Sequence, residues 1–239
     1  METSERTVGA APYPFVIAHR WGNSLSALHV AERLSVPAVE ADIHLFRGRL
    51  EVRHLKTVGP LPVLWDRWEL GNPFVPRLLV SELLAAVGPR THLVLDLKGR
   101  NRRLSDVLLR ALDPYLSPTH AVTLCARSWP LLELFRSVPG VRGVHSVGSG
   151  KDLAQLRSRI AGSRSAGISI HERLLDRRTT QELRGLANMI LSWPVNTTER
   201  ARELIAYGVD GLISDRPGAL QSVLGRRVEP KETWTACRA

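Results

Sequence analysis

The chain of 239 residues is 44% hydrophobic and 23% charged, and its formal net charge at pH 7 is +10. These values indicate a globular domain, and two cysteines are too few for a fold held together by disulfide bonds. The basic charge favours anionic partners, but no nucleic-acid-binding motif accompanies it, so we expect no nucleic-acid partner.

The two ends of the chain look different from its middle. Residues 1–13 are polar and lack the basic start and apolar core of a secretory signal, so we predict a flexible N-terminus and a cytoplasmic protein. Residues 225–239 show no periodicity and are predicted to form a flexible polar tail. No uncharged apolar run is long enough to span a bilayer, which leaves peripheral membrane contact open.

Between these ends, short apolar runs alternate with helical patterns, as they do in parallel strands joined by crossover helices. The candidate strands cover residues 15–18, 38–43, 92–97, 121–125, 141–146, 166–170, 188–192 and 211–214. Eight strands fit a closed barrel, so we predict an α/β fold in which residues 14–224 form a single (β/α)8 TIM barrel. A doubly wound open sheet is the alternative, because periodicity cannot distinguish it from a closed one.

Helical patterns cover residues 24–34, 80–87, 103–112, 130–137 and 198–207. The last of them has Thr197 or Thr198 as an N-cap candidate and ends at Gly208, the usual left-handed stop. After the second strand, a short extended segment at residues 50–54 precedes a stretch rich in Pro, Gly and Trp at residues 58–76. We predict this stretch to be a long loop that serves in binding.

Acidic residues lie at the ends of the second and third predicted strands. Glu40 and Asp42 are two residues apart in an otherwise apolar strand, so both face the barrel interior if either does. Asp96 and Lys98 end the next strand, and the carboxyl ends of all strands open on the same face of a barrel. Because Lys98 offsets only one of three converging charges, we predict one divalent cation, Mg²⁺ or Ca²⁺, bound by the three carboxylates.

Two histidines are expected beside this metal site. His19 and Arg20 follow the first strand directly, and His54 follows the extended segment after the second strand. A histidine near neutral pH can take a proton from a nucleophile or give one to a leaving oxygen. With Arg20 and Lys98 as candidate phosphate-binding cations, this set of groups matches the needs of phosphodiester cleavage.

Other residues on the same rim are candidates for the substrate pocket. Trp193 and Asn196 follow the seventh strand, Asp215 follows the eighth, and Trp21 lies beside His19 at the predicted mouth. We predict that Trp21, Trp193 and Asn196 border the substrate.

The order and spacing of these residues resemble the glycerophosphodiester phosphodiesterase family, and the resemblance covers nearly the whole chain. The motifs that carry it are His19-Arg20-Trp21, Glu40-Ala41-Asp42, His54, Leu95-Asp96-Leu97-Lys98, Trp193-Pro194-Val195-Asn196 and the run from Gly208 to Pro217. The resemblance implies a TIM barrel, His19 and His54 in acid and base roles, and Mg²⁺ or Ca²⁺ on the three carboxylates. It implies hydrolysis of glycerophosphodiesters or lysophospholipids as small-molecule substrates.

Three positions depart from the family pattern. Trp21 replaces a glycine, Leu55 replaces the aspartate that usually follows the second histidine, and Asp96 stands where a glutamate is typical. Asp96 in this setting also resembles the phospholipase D toxins, so a phosphodiester lyase that stops at a cyclic phosphate is one alternative. A barrel without catalysis that serves as a binding module is another. The oligomeric state is left open.

Overall fold

The computed structural model describes residues 14–57, 63–66, 69–71, 76–117, 120–160 and 164–224, so the predicted flexible segments 1–13 and 225–239 lie outside the described residues. The strands are β1 (Phe15–Ala18), β2 (Ala38–Phe46), β3 (Arg49–Val52), β4 (Lys56–Thr57), β5 (Leu64–Asp66), β6 (Glu69–Gly71), β7 (His92–Leu97), β8 (Val122–Ala126), β9 (Val141–Val147), β10 (Ile168–His171), β11 (Ile190–Trp193) and β12 (Gly211–Ser214).

The main sheet is a closed barrel, as predicted. Its parallel strands follow the order β1-β12-β11-β10-β9-β8-β7-β2, and β1 pairs with β2 as well as with β12. The pairing of Ile17 with Ala38 closes the ring, so the alternative of an open sheet is wrong. The predicted TIM barrel is therefore confirmed.

Helices connect the barrel strands on the outside. The α-helices are α1 (Leu25–Arg33), α2 (Val80–Ala86), α3 (Arg103–Leu112), α4 (Gly150–Arg159), α5 (Arg177–Leu186), α6 (Thr198–Tyr207) and α7 (Pro217–Leu224). The segment after β8, predicted as an ordinary helix, is a 3₁₀-helix at Trp129–Phe135. Its three residues per turn bring Trp129, Leu132 and Phe135 onto one face, and all three are buried. None of the helices in the described ranges is long and apolar enough to cross a membrane.

The barrel interior is filled by apolar side chains below the mouth, and it is lined by polar side chains at the mouth. Inward side chains such as Phe15, Ile17, Val94, Val144 and Leu191 belong to one buried cluster inside the ring. The outward side chains of the strands pack against the helices in two larger clusters. Because side chains alternate along each strand, the next inward positions toward the carboxyl ends carry the polar groups described below.

The insertion after β2 begins as a hairpin. β3 pairs antiparallel with β2, and the two-residue turn between them, Arg47 and Gly48, has φ angles of 47° and 82°. Positive φ at both positions is what a type I′ turn requires. In the stretch that we predicted as a long loop, the described residues of β5 and β6 form a small antiparallel sheet with β4. The remainder, residues 58–62, 67–68 and 72–75, lies outside the described residues.

Candidate active site

The three carboxylates predicted as metal ligands lie together at the carboxyl end of the barrel. Glu40 is 4% exposed and Asp42 is 1% exposed, and both come from β2. β7 pairs with β2 in a register that sets Asp96 directly beside Asp42. One oxygen atom from each of the three carboxylates lies within 4.8 Å of the others. Neighbouring parallel strands thus bring together residues that are more than fifty positions apart in the chain.

Positive and hydrogen-bonding groups surround this cluster. The Nζ of Lys98 lies 2.6 Å from Oδ1 of Asp42 and also contacts Oδ2 of Asp96. Asn23 donates from Nδ2 to Oδ2 of Asp42 at 2.8 Å, and its own Oδ1 accepts from the backbone N–H of Asp42 at 2.8 Å. The backbone N–H of Arg20 donates to Oε2 of Glu40 at 2.7 Å. Asp42 is therefore held as a carboxylate from several sides.

The electrostatics of the three acids differ. Burial, together with the charges of Asp42 and Asp96, raises the pKa of Glu40 well above its usual range. Burial also raises the pKa of Asp96, against the opposing effect of Lys98. For Asp42, burial acts in the same upward direction but is outweighed by His54, Lys98 and Asn23, so its pKa lies below the usual range. One lysine does not neutralise the whole cluster.

This donor set fits a hard divalent cation. All three candidate ligands are carboxylate oxygens, which Mg²⁺ and Ca²⁺ prefer. Oδ1 of Asp96 is buried and has no hydrogen-bond partner, a costly arrangement that coordination to a cation would relieve. Burial is the main cause of the raised pKa of Glu40, and a bound dication would offset the repulsion from Asp42 and Asp96 that adds to it.

His19 is oriented by an acid from the other side of the barrel closure. Its Nδ1 lies 2.6 Å from Oδ1 of Asp215, which follows β12. Asp215 in turn accepts from Nδ2 of Asn196 at 2.8 Å, and its backbone N–H donates to Oδ1 of Asn196 at 3.0 Å. The hydrogen bonds from Asn196 and His19 outweigh burial and lower the pKa of Asp215, so this group is an acceptor. His19 therefore carries its proton on Nδ1 and presents Nε2, 4.0 Å from Oε2 of Glu40.

His54 reaches the same cluster through the hairpin. The backbone N–H of Arg53 donates to the carbonyl oxygen of Asp42 at 3.0 Å, which continues the pairing of β2 with β3 by one residue. As a result, Nδ1 of His54 lies 3.4 Å from Oδ2 of Asp42, and one third of its side chain is exposed. The two predicted histidines thus approach the carboxylates from different strands.

The turn after β1 packs tightly on β2, which leads to a prediction. A Cβ atom on Gly22 would lie 2.7 Å from the Cβ of Ala41 and 3.0 Å from the carbonyl oxygen of Glu40. We expect Gly22→Ala to lower the free energy of unfolding by about 1–3 kcal/mol, measured by urea denaturation. Gly185→Ala is the control: Gly185 lies inside α5 with open space around it, and the change should stabilise by about 0.5–1 kcal/mol. Equal effects of the two changes would contradict this packing.

A cavity of about 390 Å³ opens at the mouth. On the carboxylate side its lining includes His19, Arg20, Glu40, Asp42, Asp96 and Lys98, and on the opposite side Cys125, Arg127, Ser146, Ser169, His171 and Trp193. Of the predicted pocket residues, Trp193 lines the cavity. Trp21 packs against the hydrophobic cluster outside the ring, and Asn196 bonds to Asp215 and to Ser214.

Sequence reasoning missed three contributors. Asp215 was placed on the rim but not paired with His19, Asn23 was not assigned to Asp42, and Arg127 was not considered at all. Asn23 and Asp42 are 19 residues apart and His19 and Asp215 are 196 apart, so no spacing rule connects them. The one available signal was position, because each follows the carboxyl end of a barrel strand.

The fold and the acidic mouth define a (β/α)8 barrel whose polar groups converge on one face. No family model matches the chain, and no curated protein matches it by sequence. Solved structures do match. A Silicibacter pomeroyi protein assigned to the glycerophosphoryl diester phosphodiesterases has a TM-score of 0.74 at 18% identity, over 91% of this chain and 95% of that one.

Two further solved structures are similar to this chain over most of its length. A phosphodiesterase from Oleispira antarctica, in complex with the product sn-glycerol-3-phosphate, has a TM-score of 0.71 at 18% identity, over 88% of this chain and 96% of that one. A glycerophosphodiester phosphodiesterase from Thermotoga maritima has a TM-score of 0.68 at 17% identity, over 88% of this chain and 97% of that one. At these identities the likeness establishes a shared fold along almost the full length of each chain.

Proposed function

We propose that this chain is a metal-dependent phosphodiesterase that hydrolyses glycerophosphodiesters to glycerol 3-phosphate and an alcohol, or hydrolyses lysophospholipids. The observation that carries the proposal is the joint position of the carboxylates, Lys98 and the two histidines at one barrel mouth. The fold that the chain shares with proteins named as phosphodiesterases supports it, and one of them was solved with sn-glycerol-3-phosphate.

Glu40, Asp42 and Asp96 would hold one Mg²⁺ or Ca²⁺. When bound, the cation would neutralise charge on the phosphoryl oxygens and favour ionisation of a nearby hydroxyl group. Lys98 and Arg20 would add positive charge on either side of the carboxylates. The side chain of Arg20 is 43% exposed, with Nε 3.9 Å from Oδ2 of Asp42, so it is free to turn toward a phosphate.

His19 is assigned as the general base. Its bond to Asp215 fixes the tautomer that leaves Nε2 unprotonated, and Nε2 is directed at the carboxylate side of the cavity. Burial lowers the pKa of His19 although Asp215 opposes the shift, so the ring is neutral at pH 7 and able to accept a proton. The proton would come from the attacking hydroxyl, either a water molecule or the glycerol hydroxyl beside the phosphate.

His54 is assigned as the general acid. His54 approaches Asp42 from the end of β3, whereas His19 follows β1, and the partial exposure of His54 leaves room for a leaving oxygen. Asp42, 3.4 Å from Nδ1, would hold the ring in position to donate a proton to the leaving oxygen.

The test is hydrolysis of glycerophosphoglycerol with Mg²⁺ or Ca²⁺, followed by phosphorus NMR. Release of glycerol 3-phosphate supports the proposal. A cyclic glycerophosphate as the final product would favour the lyase, which Asp96 in place of the usual glutamate motivates. The absence of turnover with either metal would favour the binding module.

If the substrates are lysophospholipids, the basic loop after β7 is expected to contact the membrane surface. Arg100 and Arg102 are exposed on the same rim as the cavity. We expect the double change to Glu to reduce turnover of lysophospholipid in anionic vesicles about tenfold or more, with unchanged turnover of soluble diesters. The control reverses Arg90 and Arg110, which are exposed away from the mouth before β7 and late in α3. Equal losses in the two double variants would contradict a membrane-facing rim.

A further inference from the structure

On one side of the cavity, the described residues provide cationic and hydroxyl groups and no acid. Among the described residues that line the cavity, the carboxylates come from β2 and β7. The polar lining contributed by β8, β9 and β10 consists of Arg127, Ser146, Ser169 and His171, together with the buried thiol of Cys125. Glu172, next to His171, accepts from Nε of Arg200 at 2.7 Å and is not part of the lining.

Arg127 forms no ion pair with a carboxylate in the described part of the chain, although its charge acts on Asp96 from a longer distance. No carboxylate within the described part of the chain lies at ion-pair distance from its guanidinium group, although the chain forms such pairs at many other arginines. Arg127 is exposed to the cavity one residue beyond β8. An unpaired guanidinium that faces a substrate cavity is available for an anionic group of a ligand.

The aromatic ring at this side is already in contact with a cation. The Cζ of Arg127 lies 5.9 Å from the centroid of the Trp193 ring, and the His171 ring meets Trp193 edge-on at 5.0 Å between centroids. A quaternary ammonium group is recognised through aromatic faces. Here the ring attracts the protein's own guanidinium, which would repel a second cation.

The neighbouring strand leaves space for this arrangement. Gly148 directly follows β9, and a Cβ atom at this position would lie 1.7 Å from one terminal nitrogen of Arg127. The guanidinium therefore occupies the space that a side chain at Gly148 would fill, and the absence of a Cβ atom there permits this position.

We propose that this half of the cavity binds the leaving alcohol and selects an alcohol that carries a phosphate or phosphodiester group, which Arg127 pairs. The inference rests on the proposed function, since it names the substrate class of that same site. The substrate would have one phosphodiester at the carboxylates and a second anionic group at Arg127. A choline alcohol would be disfavoured.

The experiment compares three diesters whose alcohols are cationic, neutral and anionic: glycerophosphocholine, glycerophosphoglycerol and bis(glycerophospho)glycerol. For the unmodified enzyme we expect kcat/KM on the anionic alcohol to exceed that on the cationic one by about tenfold or more at low salt. Because Arg127 is exposed, the preference should shrink as ionic strength rises. Equal or better turnover of glycerophosphocholine would overturn the inference while leaving the proposed function intact.

Three variants test whether the preference for an anionic alcohol depends on Arg127. Arg127→Gln should reduce kcat/KM about tenfold on the anionic alcohol and leave glycerophosphocholine unchanged or improved. Gly148→Ala should act in the same direction, because its Cβ displaces the guanidinium. The matched control is Arg173→Gln, which removes the same charge just after β10 from a side chain that is 83% exposed. A loss that Arg127→Gln causes equally on all three diesters would contradict the inference.

Binding measurements separate the two proposals. Calorimetry in a His19→Ala background measures affinity for the same diesters without turnover, and Arg127→Gln should abolish the difference between anionic and cationic alcohols. If no diester is hydrolysed by the unmodified protein, the proposed function fails. The inference about Arg127 then stands or falls on whether this affinity difference exists.

Discussion

Glu40→Gln is expected to lower kcat/KM for glycerophosphodiester hydrolysis about a thousandfold or more, equivalent to roughly 4 kcal/mol of transition-state stabilisation. Glutamine keeps the shape of Glu40 and can still accept from the backbone N–H of Arg20, so the loss reports the missing charge. The same change should weaken binding of Mg²⁺ or Ca²⁺ in calorimetry. Asp96→Asn should have a similar effect, because it removes the negative charge of a second ligand.

Although Glu40→Gln should lower activity, it should raise the thermal stability of the metal-free protein. Without metal, Glu40 is a buried acid whose pKa is raised by burial and by Asp42 and Asp96. A neutral residue there removes repulsion, so Glu40→Gln should unfold at a higher temperature than the unmodified chain when both are in EDTA. Metal addition should reverse this order, because only the intact site gains binding energy.

Glu51→Gln is the matched control for this pair of measurements. Glu51 is equally buried, on the adjacent strand β3, but its carboxylate pairs with Arg53 at 2.7 Å and Arg77 at 3.0 Å. Its replacement removes the negative charge that pairs with both arginines and should destabilise the fold by about 3 kcal/mol while metal affinity stays constant. If Glu40→Gln binds metal and turns over substrate as the unmodified chain does, the assignment of the ligands is wrong.

His19→Ala should lower kcat about a thousandfold or more, because it removes the group that accepts the proton from the nucleophile. KM and metal affinity should change little, since neighbouring Glu40 is held by the backbone N–H of Arg20 and not by the imidazole. Single-turnover kinetics with glycerophosphoglycerol measures this effect directly.

Asp215→Asn tests the orientation of His19. An asparagine can donate to Nδ1 and so favours the tautomer with its proton on Nε2, which is unable to act as a base. We expect a loss in kcat of about a hundredfold or more, with the fold and metal binding preserved. Thr197 is the N-cap of α6 and directly follows Asn196. Thr197→Ala therefore serves as a control that disturbs this loop without changing His19 or Asp215. An active Asp215→Asn enzyme would remove His19 from the base role.

The barrel was accessible from the sequence because its strands are short apolar runs bounded by polar residues. The predicted bounds of the first, third and eighth barrel strands, at residues 15–18, 92–97 and 211–214, match β1, β7 and β12. The strand at residues 166–170 was predicted two residues too early. There Ser165 pairs with Ala187 in an isolated bridge, and propensity cannot reveal whether a continuous ladder follows.

In the candidate site, too, some residue positions could be predicted from the sequence and others could not. Glu40, Asp42, Asp96 and Lys98 could be predicted because charged residues in buried strands need partners, and the barrel places strand ends together. The contact of His19 with Asp215 depends on closure between β1 and β12, which joins the two ends of the chain. The position of Arg127 involves a glycine at the end of a neighbouring strand, which no spacing in the sequence indicates. Trp21 packs against the hydrophobic cluster outside the ring, because a residue in the turn after β1 can face outward as well as inward.

The most direct test of the central claim is a metal titration of enzyme stripped with EDTA, followed by phosphorus NMR with glycerophosphoglycerol as substrate. We predict no turnover in EDTA, recovery on addition of Mg²⁺ or Ca²⁺, and sn-glycerol 3-phosphate as the phosphorus-containing product. Full turnover in EDTA, or none at millimolar concentrations of either metal, would contradict the account.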